Sequence, residues 1–268
     1  MKTLKLFGLS VAILVCACTE TKDTVGITEE GNAVAELSSS STIPGAQSSS
    51  SSEGPSIGDS RPYVYWVGSE SIYQIDTGED AGYETSGYWY TYTDGYDGGA
   101  SSVTWPVESG NDYSGDVIDP IIDYCGGLCG IITLNRGTLT SDPFVGFAFN
   151  VAGEDDRYVA LPADVTKWGG ICITYTSDFA INVKLGLGDS LEAAINYDLP
   201  YVSFDAAPMD SVSRCAEWSE FKQKNSDEIT GEQAATQLVS IHFVFVGESG
   251  MTGQVNIMAF RSKDSLPE

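Results

Sequence analysis

From about residue 61 onward, alternation of apolar and polar residues dominates the chain. The clearest segment is residues 238–246, where β-branched and aromatic residues run without Gly or Pro and end at turn residues 247–250. Large residues fall on both faces of this segment, which predicts a central strand buried on both sides. His242, the only histidine of the chain, lies in its middle.

The same alternation predicts further short strands with turn residues between them. These lie at residues 63–67, 71–76, 87–93, 100–106, 144–151, 181–187, 194–200 and 253–260. Many short strands within about 200 residues are typical of a β-sandwich. We therefore predict one all-β domain over residues 61–268, built as a two-sheet β-sandwich.

The segment 87–93 carries a row of tyrosines. A period of two puts Tyr88, Tyr90 and Tyr92 on one face of the predicted strand. Half-buried packing explains such a row, and so does a platform on which sugar rings stack. The pattern alone favours packing.

The N-terminus resembles a lipoprotein signal. Residues 1–17 join Lys2 and Lys5 to an apolar run that is too short to span a bilayer. The run ends in Val15-Cys16-Ala17-Cys18, which resembles a bacterial lipobox and implies cleavage before Cys18 and lipidation of its sulfur. Thr19 follows instead of the Asp that retains lipoproteins at the inner membrane, so we expect a lipid anchor in the bacterial outer membrane, at the cell surface. An ordinary signal peptide is the alternative.

Residues 18–60 differ in composition from both the N-terminal segment and the predicted β-sandwich. They are rich in Ser and contain almost no large apolar residue, so they cannot bury a core and are expected to be a disordered tether. Such a tether either lets the folded head scan a surface or carries it clear of the lipopolysaccharide layer.

The charge of the chain limits its possible binding partners, and its cysteines predict disulfide bonds. The net charge of −25 excludes binding to a nucleic-acid backbone. Besides Cys18, an exported chain would pair the four cysteines of the head as two disulfides, with three possible pairings. We favour Cys125–Cys129, across a Gly-Gly loop, together with Cys172–Cys215, whose longer loop would contribute roughly 4 kcal/mol in the chain-entropy model.

Three segments of the head carry a family resemblance. Asp164-x-x-x-Trp168-x-Gly170-Ile171, Trp218-Ser219-x-Phe221 and Ser240-Ile241-His242-Phe243 resemble the galactose-binding-like jelly rolls and, in their order, family 11 carbohydrate-binding modules. The resemblance covers about residues 75–260. It implies a jelly roll whose concave cleft binds one chain of a β-linked polysaccharide, specifically a β-glucan.

The resemblance also implies site residues. His242 matches a cleft histidine, and Tyr92 matches an early cleft tyrosine. Phe245 stands in place of a cleft tyrosine, Lys224 lies near a cleft arginine, and Asp227 lies near a cleft aspartate. Replacing Arg by Lys loses planar, bidentate hydrogen bonding.

A structural calcium is a further implication of the resemblance. Asp76, Glu79 and Asp80 offer the hard oxygen ligands that calcium prefers. The acidic pair expected in the closing strand is replaced by Met258-Ala259. A solvated acidic turn is the alternative.

We therefore predict a non-catalytic envelope lipoprotein whose jelly-roll head binds a β-glucan or another plant polysaccharide. A structural or adhesive envelope protein, using the same fold for protein contacts, is the second hypothesis. A glycosidase ranks third, because carboxylate pairs are inevitable in so acidic a chain and decide nothing. Trp168 and Trp218 are expected in the core or in turns.

Overall fold

The computed structural model describes residues 62–111 and 116–265. The predicted signal peptide at residues 1–17, the lipidation site Cys18 and the tether at residues 18–60 lie outside these ranges and stay predictions.

Within the described ranges the strands form two antiparallel sheets of six and five strands, which confirms the predicted all-β sandwich. The six-stranded sheet consists of β1 (Tyr65–Val67), β3 (Ser102–Thr104), β4 (Leu128–Thr133), β6 (Gly170–Ser177), β9 (Ala207–Glu217) and β11 (Thr252–Ser262). The five-stranded sheet consists of β2 (Trp89–Thr93), β5 (Phe144–Asn150), β7 (Ile181–Gly186), β8 (Tyr201–Phe204) and β10 (Ser240–Val246).

The strand order places the histidine strand at the centre of its sheet. The order of the five-stranded sheet is β2-β5-β10-β7-β8, so β10 pairs on both sides, as its apolar sequence predicts. The six-stranded sheet runs β3-β4-β11-β6-β9, and β1 also pairs with β11.

Aromatic side chains fill the space between the two sheets. Phe260 of β11 contacts Phe149 of β5 and Phe243 of β10, with ring centroids 5.2 and 6.0 Å apart. All three rings are fully buried, and burial of each contributes about 1.5–3 kcal/mol relative to exposure. This core holds the five-stranded sheet rigidly from below.

Three short helices complete the described fold: α1 (Asp119–Cys125), α2 (Asp189–Ala194) and α3 (Gly231–Ala235). In the described part of the chain, no helix has the length and apolar character that crossing a membrane requires.

Some strand predictions were wrong. Residues 71–76 form only isolated bridges, because a 3-10 turn at Gly68–Glu70 precedes them and Ser71 takes a left-handed conformation. Residues 194–200 are not a strand, since α2 ends there and the chain reverses at Asn196 and Tyr197. The alternation did not reveal β9, most of whose side chains are exposed.

The two favoured disulfides are both present. Cys125 is bonded to Cys129, and Cys172 is bonded to Cys215. The second joins directly opposite residues of the neighbouring strands β6 and β9.

Candidate functional site

The outer surface of the five-stranded sheet, which we call the His242 face, gathers residues from all five strands. The strand register aligns Tyr90, Ala148, His242, Lys184 and Tyr201 in one row across the sheet. These positions point away from the core because their neighbours along each strand point into it. A single row therefore holds a phenol, an imidazole and an ammonium group.

His242 is held by two hydroxyl groups. Its Nδ1 lies 2.9 Å from Tyr92 Oη, and its Nε2 lies 2.6 Å from Ser240 Oγ. Each ring nitrogen thus has a partner, and the tautomer decides which hydroxyl donates. The ring is half-buried, so these bonds fix the orientation of Tyr92 on the sheet.

Glycines beneath the row make this arrangement possible. A Cβ at Gly146 would lie 2.1 Å from the Tyr92 ring, and one at Gly186 would lie 2.1 Å from Ser240 Oγ. Tyr92 therefore lies close against the sheet instead of standing up from it. Its ring also contacts Phe144 and Tyr90, with centroids 6.0 and 6.3 Å apart.

The electrostatic environment keeps His242 neutral. Burial, and then the nearby Lys184 ammonium, lower the pKa of His242 from 6.5 to about 4. At neutral pH the ring therefore offers one donor and one acceptor, which its two hydroxyl partners match.

The tyrosines stay protonated for a related reason. Burial raises the pKa of Tyr90 to about 12, and it raises the pKa of Tyr92 as well. Tyr90 therefore keeps an O–H group that is available to donate. It is about one-third exposed, so its ring is accessible from outside.

Two cavities open on the His242 face, near opposite ends of its strands. The first, the Tyr90 cavity, has a volume of about 700 Å³ and is lined by residues that include Tyr90, Asn150, Glu154, Tyr158 and Leu191. Glu154 Oε1 accepts a hydrogen bond from Asn150 Nδ2 over 3.0 Å. This cavity therefore combines aromatic rings with fixed polar groups.

The second, the Lys184 cavity, has a volume of about 540 Å³. Its lining includes Asn182, Lys184, Tyr197, Tyr201, Lys224 and Asn225. Amide, ammonium and phenol groups thus converge on one concave surface, and they suit a ligand rich in oxygen atoms.

Two exposed tyrosines that the sequence patterns did not reveal line these cavities. Tyr158 lines the Tyr90 cavity and is 87% exposed, while Tyr197 lines the Lys184 cavity and is 66% exposed. Both have left-handed backbones, with φ of 61° and 58°. Bulky residues rarely adopt this conformation, and such strain tends to occur at functional positions.

Sequence reasoning could have found these tyrosines only through their turns. Tyr158 follows Asp155-Asp156-Arg157, where Asp155 Oδ1 accepts from the backbone of Arg157 and Val159. Tyr197 sits between Asn196 and Asp198, and both residue types are common in turns. A tight turn that contains an exposed tyrosine is the available signal.

The structure separates the predicted site residues into groups. Tyr90, Tyr92 and His242 meet on one face, and Lys224 lines the Lys184 cavity. Neither Tyr92 nor His242 lines either cavity, because both lie between the cavities. Their place in the fold is that of positioning residues.

The other predicted members lie elsewhere. Tyr88 precedes β2, is nearly half exposed and bridges Gln74. Asp227 is exposed on the loop before α3 and is not among the residues that line the two cavities.

The assignment of Phe245 to the cleft is corrected. Phe245 is 0% exposed and contacts Phe147 and Phe179 inside the core. It stands three residues after His242 in the same strand, and an odd spacing puts two side chains on opposite faces of a sheet. A core position matches its lack of a hydroxyl group.

Two of the carboxylates suggested for calcium, Glu79 and Asp80, have partners within the protein. Glu79 is paired with Lys167 over 2.6 Å, and Asp80 Oδ1 accepts from the backbone N–H of Gly82 over 2.8 Å. Across residues 62–111 and 116–265, no three acidic, histidine or cysteine side chains converge as a metal site would require. Asp76 lines the same acidic turn, and calcium there stays a prediction of the sequence.

Trp168 and Trp218 lie where the sequence predicted. Both are buried, and their ring centroids are 6.4 Å apart near the start of β6 and the end of β9. Neither is accessible to a ligand.

Comparison with known proteins bears on the fold. No protein-family model matches the chain, and no curated protein sequence matches it. Among solved structures, the family 11 carbohydrate-binding module of the cellulosomal cellulase Lic26A-Cel5E of Clostridium thermocellum is 13% identical, with a TM-score of 0.37, over 71% of this chain and 95% of that one.

Two further solved structures are similar. The carbohydrate-binding module CtCBM11 is 14% identical with a TM-score of 0.31, over 69% of this chain and 93% of that one. An exo-β-agarase is 10% identical with a TM-score of 0.30, over 67% of this chain and only 23% of the agarase. Family 11 carbohydrate-binding modules are thus among the solved structures that this chain resembles, at identities of 13–14% and TM-scores of 0.31–0.37. The proposed function therefore rests on the geometry of the His242 face.

Proposed function

We propose that the protein is a non-catalytic, lipid-anchored envelope protein whose head binds a β-linked polysaccharide, such as a β-glucan, across the His242 face. The observation that carries this proposal is the pairing of two cavities on one sheet face, each with an accessible tyrosine in a left-handed turn. The outer-membrane location and the tether are part of the proposal and rest on residues 1–60 alone.

The chemistry of the face suits sugars. Tyrosine rings pack against the C–H faces of pyranoses, and their phenols donate to hydroxyl groups. The side chains of Asn182 and Asn225 add amide donors and acceptors in the Lys184 cavity. Neutral His242 supports this arrangement by fixing Tyr92, so the centre of the face is ordered before a ligand arrives.

The proposal of a non-catalytic role rests on how the cavity carboxylates are used. In the Lys184 cavity, Asp142 is paired with Arg136 over 2.9 Å, and Asp198 accepts from the backbone of Lys224 and Asn225. In the Tyr90 cavity, Glu154 is bonded to Asn150, which leaves Asp189 as the other carboxylate of that cavity. The three bound carboxylates organise loops, so neither cavity offers both the free acid and the free base or nucleophile that a glycosidase needs.

The test is calorimetry of the purified full chain with barley β-glucan, xyloglucan, glucomannan, xylan and cello-oligosaccharides. We expect saturable binding to at least one of these, with no reducing sugar released. Tyr90→Ala and Tyr197→Ala should each weaken binding about 5- to 10-fold, since one aromatic contact is worth about 1 kcal/mol.

The matched control is Tyr124→Ala, which removes a 67% exposed tyrosine from α1, beside the other sheet. It should leave affinity unchanged. Failure of a folded chain to bind any glycan would refute the proposal, and release of reducing sugar would refute its non-catalytic part.

A second function is favoured by a different surface. A cavity of about 380 Å³ borders the six-stranded sheet and is lined by residues that include Trp105, Tyr124, Ile131 and Val255. Tyr124 and Ile131 are both exposed. Exposed apolar side chains around a cavity suit a protein contact, as a structural or adhesive envelope protein would need. A loss of partner capture on Tyr124→Ala, with glycan binding absent, would favour this function.

A further inference from the structure

The Lys184 cavity contains two lysines that form no ion pair with any residue that the structure describes. Among those residues, the ion pairs involve Arg136, Arg157, Lys167 and Lys263, but neither Lys184 nor Lys224. Other cations of the described chain form no ion pair either, namely Arg214, Lys222 and Arg261, but Lys184 and Lys224 line one cavity together. Two in one cavity call for an explanation.

The two acids of the same cavity, Asp142 and Asp198, form no direct ion pair with either lysine. Asp142 is bound by Arg136 at its Oδ1 over 2.9 Å. Both oxygens of Asp198 accept hydrogen bonds from the loop that carries Lys224, including its backbone N–H over 3.0 Å and that of Asn225 over 2.8 Å. These bonds explain why the pKa of Asp198 lies below its usual value despite partial desolvation.

The position of Lys184 is also unusual for a charged side chain, because it is partly buried. It is half-buried in the central row of the His242 face, between His242 and Tyr201. Burial and the neighbouring Lys224 lower the pKa of Lys184, while Asp198 offsets this in part. Two ammonium groups that repel each other in a partly dry cavity would both be stabilised by one anion between them.

We propose that the Lys184 cavity recognises an anionic group on the glycan, namely the carboxylate of a uronic acid unit or a sulfate ester. The inference rests on the proposed glycan-binding function and specifies its ligand. Lys184 and Lys224 supply the charge, Asn182 and Asn225 supply hydrogen-bond partners, and Tyr197 contacts the sugar ring. A lysine serves here as a point charge, which does not demand the planar geometry that arginine requires.

The acidity of the whole chain makes this inference falsifiable. A net charge of −25 repels anions at long range, although salt screens the repulsion beyond about 8 Å under physiological conditions. Any preference for an anionic glycan must therefore come from local cations. Removing those cations should therefore abolish the preference.

The experiment compares glycans that share one backbone. The full chain is titrated at fixed ionic strength with cellohexaose, with the same β-1,4 hexamer oxidised to the carboxylate at C6, and with the hexamer sulfated at O6. We expect at least one anionic hexamer to bind about 10-fold more tightly than cellohexaose, and the two anionic forms distinguish a carboxylate site from a sulfate site.

Two variants and one control complete the test. Lys184→Met and Lys224→Met should each abolish the anionic preference, measured as the ratio of the affinities for the anionic and the neutral hexamers. Lys224 is exposed, so its replacement does not put folding at risk. Lys263→Met removes the same charge at the end of β11, where Lys263 pairs with Glu217 over 3.0 Å, and should change nothing.

The outcomes separate the two proposals. If the unmodified protein binds cellohexaose as well as, or better than, both anionic forms, the anionic preference is wrong and the glycan-binding function stands. An anionic preference that survives both lysine substitutions would also overturn the assignment to this cavity. If no hexamer and no neutral polysaccharide binds, the glycan-binding function fails and this inference fails with it.

Discussion

The two outer faces of the sandwich differ in how their polar side chains are satisfied. We call the outer surface of the six-stranded sheet the Thr174 face. Its hydroxyls pair directly across neighbouring strands, Thr174 with Ser213 over 2.7 Å and Thr133 with Thr252 over 3.3 Å. On the His242 face, long side chains lie over Gly146 and Gly186, and Lys184 has no counter-ion among the described residues. The paired hydroxyls of the first face satisfy one another, whereas the second face leaves the Lys184 ammonium available for a ligand.

The difference indicates that a binding site forms on a sheet face where the underlying residues are small enough for large side chains to lie flat over them. Gly146 within β5 and Gly186 at the end of β7 lower the surface there, so that Tyr92 and His242 can lie against the backbone. Turns at the strand ends then rise around this low centre and carry Tyr158 and Tyr197.

The largest expected effect that would test the comparison is the pH dependence of stability. The folded pKa of His242 is about 4 because burial and Lys184 disfavour its charge, while the unfolded value is near 6.5. The unfolded state therefore binds more protons between these values. Stability is fully present above pH 6.5 and falls as pH drops toward 4, by about 3 kcal/mol.

Urea unfolding at intervals from pH 7 to pH 4 measures this loss. Carboxylates titrate in the same window, so the comparison is with His242→Gln, which keeps hydrogen-bonding groups but cannot titrate. His242 is the only histidine, so the difference between the two curves isolates it. Parallel curves would show that the imidazole is not held neutral by the fold.

A smaller effect is expected from filling the low centre of the His242 face. Gly146→Ala would place a methyl group 2.1 Å from the Tyr92 ring and push the phenol off His242. We expect a loss of about 2 kcal/mol in unfolding free energy, as for other overpacked sites. Glycan affinity should fall at the same time.

The matched control adds one carbon to the other face. Ser213→Thr enlarges an exposed side chain of β9 and should leave both stability and glycan binding nearly unchanged. Equal losses for the two variants, measured by urea unfolding and calorimetry, would contradict the special role given to Gly146.

The smallest effect is expected from removing a self-satisfied pair. Thr174→Val combined with Ser213→Ala deletes both partners of one hydrogen bond, so no polar group is left unpaired. We expect stability to change by less than about 0.5 kcal/mol, with glycan affinity unchanged. A large destabilisation in thermal unfolding would mean that the Thr174 face depends on this pair.

The sequence predicted much of the fold but less of the site. Strands such as β5, β10 and β11 were predictable because their buried residues alternate or run together. β9 was missed because most of its side chains are exposed. Residues 194–200, the turn that follows α2, were taken for a strand because Ile195, Tyr197 and Leu199 alternate with polar residues. Phe245 was placed in the cleft by the family resemblance alone. The period of two along β10 puts Phe245 on the opposite face from His242, in the core.

By itself the sequence determined the all-β class, the central position of β10 and the face shared by Tyr90 and Tyr92, because these follow from local alternation and β-propensity. It favoured one of the three possible disulfide pairings, and the structure confirmed that pairing. Only the tertiary structure decided that Tyr90, His242 and Lys184 share one row, because strand register links residues that are far apart in the chain. The unpaired state of Lys184 and Lys224 was likewise decided in three dimensions, where neighbouring carboxylates are bound by other groups.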